Sequence, residues 1–155
     1  MKIKKIAIGF GVLLVGAQAF RIDKSVPEIE NEKDFISVTM PSAEIEALLK
    51  KSCYDCHSNQ TTYPWYTEIA PVSWWIKHHI NEGREELNFS EWADYSERRK
   101  DHKLKECVEM VQENEMPMSS YTLLHHDAEL TTKQKEDLIA WFNSLRTGES
   151  DKPKR

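Results

Sequence analysis

The sequence predicts an all-α domain behind an N-terminal targeting segment, and three observations carry that reading. No stretch between residues 40 and 146 sustains the two-residue alternation of a half-buried strand. Apolar residues recur instead at helical spacing, behind residues that cap helix starts. Lys2, Lys4 and Lys5 precede an uncharged, mostly apolar run over residues 6–20, the order found in export signals and anchors.

Residues 1–20 therefore read as a signal peptide or a membrane anchor. Ala17 and Ala19 are the small residues a signal peptidase reads, which predicts cleavage after Ala19. The run over residues 3–20 is also almost long enough to span a bilayer, with the basic flank holding the amino terminus inside. Both readings stay open, and both put the domain outside the cytoplasm. Residues 21–40 hold Pro27 and the acidic Glu28, Glu30, Glu32 and Asp34 without helical or strand periodicity, and read as a tether.

The domain proper is expected over residues 41–146. Its first helix follows Pro41, with Ser42 as N-cap and Ile45, Leu48 and Leu49 as apolar stripe, and runs straight into Cys53. A second helix is expected from Pro71 to Gly83, a proline start and a glycine stop. Ser90 is expected to cap a short helix ending at Tyr95. A longer helix over residues 97–114 turns Leu104, Cys107, Val108 and Val111 inward, and Pro117 stops it. Residues 116–127 read as a loop. The last helix opens on a capping box, Thr131 with Gln134, and carries Leu138, Ile139, Trp141, Phe142 and Leu145. Residues 147–155 form a charged tail past the fold.

At 155 residues, 39% hydrophobic and 30% charged, the chain buries one modest core, to which a large apolar cofactor would add. A net charge of −5 argues against a nucleic-acid partner. The three cysteines include two in one pentad, Cys53-Tyr54-Asp55-Cys56-His57. A C-x-x-C-H pentad is the attachment signature of c-type haem: the two thiols add to the two vinyl groups and the histidine reaches the iron. A C-x-x-C redox pair predicts a βαβ pattern that this chain lacks, and a zinc site lacks a second C-x-x-C. Cys107 is expected to be a buried, inert thiol.

With the pentad at the end of a helix, Met116-Pro117 beyond it and an amphipathic terminal helix, residues 41–146 resemble the class I cytochrome c pattern. The runs Tyr63-Pro64-Trp65-Tyr66, Ile69-Ala70-Pro71-Val72-Ser73-Trp74, Asn81-Glu82-Gly83-Arg84 and Glu115-Met116-Pro117 are similar, more narrowly, to the haem-binding domain family of membrane-tethered bacterial proteins. The resemblance implies a small class I cytochrome c-like helical domain around one covalent haem. His57 is the expected proximal ligand through Nε2, with a backbone carbonyl in residues 69–71 as candidate acceptor for its other nitrogen. Met116 is the first candidate for the distal iron ligand and Met118 the alternative, since Met/His ligation raises the potential and suits electron transfer. Trp65 and Trp74, in a cluster with Trp75, Tyr63 and Tyr66, are candidates to pack against the porphyrin. Tyr121, Arg84 and Lys77 are candidates for the propionates. His78, His79, His102, His125 and His126 are expected at the surface or the haem edge.

The expected function is a one-electron carrier or relay working with redox partner proteins. The inner membrane is a further partner if the N-terminal segment stays uncleaved. The alternative is a haem peroxidase or gas sensor with a labile distal site.

Overall fold

Every regular element is helical in the computed structural model, which describes residues 2–148. The α-helices are α1 (Lys2–Ala17), α2 (Phe35–Thr39), α3 (Ala43–Ser52), α4 (Tyr54–His57), α5 (Val72–Glu86), α6 (Glu97–Gln112), α7 (Ser119–Thr122) and α8 (Thr132–Leu145). Short 3₁₀ turns lie at Asn31–Lys33, Trp65–Glu68, Phe89–Asp94 and His126–Ala128. Among the described residues there is no strand.

Local polar chemistry sets the helix starts. The Ser42 hydroxyl accepts from Ile45 N–H at 3.4 Å, and Ser96 does the same for Arg99 at 3.3 Å. At α8 the capping box is complete. Gln134 N–H donates to Thr131 Oγ1 at 3.3 Å, and Thr131 N–H donates back to Gln134 Oε1 at 2.8 Å. Each cap satisfies N–H groups that the first turn leaves without partners.

The core forms where the apolar stripes meet. Ile45 and Leu49 of α3, Leu104 and Val108 of α6, and Leu138 and Phe142 of α8 are all buried, around Phe35, Phe89 and Trp92. Each such side chain contributes on the order of 1.5–3 kcal/mol by leaving water. The main packing in this core is α6 against α8.

The structure differs from the sequence expectations at five places. The second half of the expected tether is folded. Phe35 is fully buried, stacked on Phe89 with centroids 4.8 Å apart, and the Asp34 carboxylate accepts from Tyr54 Oη at 2.9 Å. One aromatic on a one-turn helix leaves no periodic trace. The second helix continues past Gly83 to Glu86, so the glycine is not a stop. Asn88, not Ser90, caps the turn before Tyr95, accepting from Ser90 N–H at 3.1 Å. The loop over residues 116–127 contains α7 and leads into the 3₁₀ turn at His126–Ala128. The expected tail starts bound: Thr147 and Gly148 N–H donate to buried Asp101 Oδ1 at 2.7 and 2.8 Å. The rest of that tail lies outside the described residues.

Helix α1 buries none of its residues. Among the described residues no helix is long and apolar enough to cross a membrane.

Candidate functional site

The pentad sits at a break between two helices. Cys53 leaves helical geometry (φ −128°, ψ −45°), ending α3 before α4 restarts at Tyr54. The break is pinned from both sides. Ser52 Oγ donates to Ala128 O at 2.9 Å, and buried Tyr54 stacks on Phe89 with centroids 5.2 Å apart. One short turn thus carries both thiols and the imidazole, with Cys56 and His57 N–H bonded to Cys53 O at 3.2 and 3.0 Å.

His57 is held by α5. Its Nδ1 lies 2.9 Å from Gly83 O and 3.2 Å from Leu87 O. Carbonyls only accept, so Nδ1 carries the proton and Nε2 keeps the lone pair in the neutral ring. Burial lowers the pKa of His57 below the ordinary value, which favours that neutral form. The expected acceptor in residues 69–71 is therefore corrected to Gly83 and Leu87. The Ala70 peptide is instead bonded to the Gln18 amide at 3.0 Å in both directions.

Gly83 explains how the two segments come so close. A Cβ built there would lie 2.8 Å from Cys56 O. The glycine lets the last turn of α5 touch the backbone of the pentad, and this contact puts the Gly83 carbonyl within reach of His57.

Both pentad thiols are free and held in their protonated form. Burial is the main cause: it pushes Cys53 up to about 12, helped by Cys56, and Cys56 up to about 11, helped by the Asp55 charge. Thiol oxidoreductases need the opposite shift, because the thiolate is their nucleophile. Cys107, packed beside the core, is pushed up as well, by burial first and by Cys53 second.

Beside the pentad opens a largely apolar cleft of about 660 Å³, its mouth included. Asp55 and Cys56 form one edge. Val72, Trp75, Ile76 and Ile80 of α5 make one wall, and Met118, Tyr121, Leu124 and His125 make another. A polar chain crosses it. Tyr66 Oη and His125 Nε2 are 2.5 Å apart, and His125 stacks on Tyr121 at 4.3 Å. Tyr121 Oη donates to Asp55 Oδ2 at 2.7 Å, and Asp55 Oδ1 accepts from Thr62 N–H at 2.9 Å.

The expected site residues divide. Cys56, Met118 and Tyr121 meet on the cleft. Met116 does not line it; it is half-buried beside the end of α6, its N–H bonded to Met110 O at 3.1 Å. Trp65 is 76% exposed and off the cleft, and Trp74 turns away to donate from Nε1 to Phe20 O at 2.7 Å. Trp75 lines the cleft in their place. Arg84 donates to Ser58 O and Thr61 Oγ1, both at 2.8 Å, and so fastens the loop after the pentad. His78 and His102 pair with Glu82 and Glu106 one turn along their own helices, while His79 and His125 reach the cleft. Sequence reasoning missed the close-approach role of Gly83, and it missed Asp55 and Val72. An isolated glycine inside a helical run was the available signal for the first.

A family model for the haem-binding domain matches residues 12–144. The chain belongs to this haem-binding domain family. No curated protein and no solved structure matches it. The family match begins inside α1 and ends one residue short of the end of α8. A haem-binding domain needs an iron ligand and an apolar slot, for which His57 and the cleft are the candidates in this chain. Its half-buried imidazole has a fixed tautomer; of the pentad, Asp55 and Cys56 line the apolar cleft, while Cys53 and His57 lie off its lining. Tyr63, on that cleft, keeps a buried hydroxyl without a hydrogen-bond partner among the described residues, a donor left for a polar group of the cofactor.

Proposed function

We propose that the chain binds one haem covalently through Cys53 and Cys56, with His57 as proximal ligand, and passes single electrons between redox partners. It does so from a small cytochrome c-like domain on the periplasmic face of the inner membrane. The observation that carries the reading is the His57 geometry. Two backbone carbonyls hold its Nδ1–H, and Nε2 is left to bind metal, on the same turn as two protonated thiols. When bound, haem supplies an iron that cycles by one electron. The chain's own task is to hold that iron beside the largely apolar cleft. Met118, on the cleft wall, takes precedence over Met116 as candidate for the distal thioether.

The test is expression with haem-maturation machinery, acidic extraction and ferric absorption spectra. Covalent haem stays with the protein, and is lost from Cys53→Ala with Cys56→Ala. Met118→Ala should abolish the weak sulfur-to-iron band of the low-spin ferric form. Loss only in Met116→Ala would return the role to Met116. Persistence of the band in both single variants and the double variant would exclude thioether ligation from this turn.

A second reading has one observation in its favour. The Tyr66–His125 and Tyr121–Asp55 contacts put polar hydrogens at the cleft, as a peroxidase or gas-binding site would need. A high-spin spectrum with rapid CO binding would favour it.

A further inference from the structure

We infer that the face carrying Trp65, Ile69 and Trp74 lies against the lipid bilayer, so that the haem cleft is held at a fixed place beside the membrane surface. Trp65, Ile69 and Trp74 are 76%, 45% and 41% exposed, within one short stretch of chain. None of the three lines the cleft. Isolated exposed apolar residues are ordinary, but three within ten residues of chain, two of them tryptophan, call for a partner.

The identity of the occupant comes from the segment to which this stretch is joined. Trp74 Nε1 donates to Phe20 O at 2.7 Å, at the end of the apolar segment that begins with α1. Gln18 holds the Ala70 peptide with both ends of its amide at 3.0 Å. Arg21 pairs with Glu68 at 3.0 Å, and Lys24 pairs with the same carboxylate and donates to Thr67 at 2.8 Å. The junction between α1 and the domain is therefore a set of specific bonds, and it ties the stretch that carries these residues to the segment directly after α1. Ile6, Phe10, Leu13 and Val15 of that helix are each at least 63% exposed, a surface suited to lipid.

Length points the same way. The 16 residues of α1 rise about 24 Å, short of the hydrocarbon core of about 30 Å. A short anchor draws the adjoining residues towards the headgroups, where tryptophan rings with a polar edge are favoured. Arg21, its side chain 72% exposed, adds a cation at the same level. Cleavage after Ala19 would remove α1 and the two Gln18–Ala70 bonds, and leave those of Phe20, Arg21 and Lys24.

The inference rests on the membrane placement proposed above. The test is the full-length haem-loaded protein in phosphatidylethanolamine–phosphatidylglycerol vesicles, doped with a phospholipid bearing a diazirine near its headgroup. After irradiation, adducts are mapped by peptide mass spectrometry. Adducts in residues 65–75 together with residues 6–20 are expected, and Gln18→Ala should lose the former while keeping the latter. Adducts confined to residues 6–20 would overturn this inference alone. So would cross-links between copies in residues 65–75 in place of lipid. An absence of adducts from both segments would overturn the membrane placement as well.

Discussion

At the scale of single residues, the site works through protonation states set by burial. His57 is kept neutral by burial, with its tautomer fixed by the Gly83 and Leu87 carbonyls. Cys53 and Cys56 are kept as thiols, pushed up to about 12 and about 11. The sign of the pH effect is set by the thiols. Between about pH 8.5, where an unfolded cysteine ionises, and pH 11, the unfolded chain releases protons that the folded chain retains. The haem-free protein should thus lose stability as pH rises through that window, seen as a falling melting temperature. Iodoacetamide should label the folded pentad slowly near neutral pH and the unfolded pentad quickly, read by mass spectrometry. Fast labelling of the native form would show that the thiols are not held protonated.

At the scale of elements, the decisive contact is α5 against α4. A helix interior ordinarily favours alanine over glycine by about 1 kcal/mol. At Gly83 that preference meets a backbone oxygen 2.8 Å from the added Cβ, which cannot swing aside as a side chain could. Gly83→Ala should therefore destabilise the domain by about 1–3 kcal/mol, the usual cost of overpacking. It should also lower haem incorporation, because separating α5 from the pentad moves the Gly83 carbonyl away from His57. A thermal melt of the haem-free form and the haem-to-protein ratio test this. A raised melting temperature would mean that helix propensity wins and the contact is loose.

At the scale of the whole molecule, the domain is closed at both ends by segments outside the expected helical frame. Phe35 meets Phe89, Trp92 and Trp141 at centroid distances of 4.8, 4.5 and 5.4 Å and joins the start of the domain to its last helix. Asp101 receives the backbone of Thr147 and Gly148 at the other end. Phe35→Ala should cost about 3–5 kcal/mol in a denaturant titration, the usual loss for a fully buried phenylalanine. Ile29→Ala, at a position 40% exposed, should leave the midpoint nearly unchanged. Equal midpoints for wild type and Phe35→Ala would return residues 21–40 to the role of a tether.

The helical class, the starts of α3, α6 and α8, and the pentad were legible in the order of the amino acids. These rest on information a few residues long: a cap hydroxyl, a stripe of apolar spacing, a C-x-x-C-H. Tertiary structure decided the rest. Phe35 is core because α8 and the turn at Phe89–Asp94 converge on it, and nothing in its neighbours says so. Gly83 read locally as a helix stop and is instead a point of close approach, a property of two segments far apart in the chain. Met118 rather than Met116 faces the cleft because residues 116–118 turn before α7, and a shift of two positions in a turn changes which side chain points inward. The pentad set the expectation of a haem site. Which carbonyls orient its histidine, and which thioether and hydroxyls surround the cleft, depended on contacts that exist only once α4, α5 and α7 are packed together.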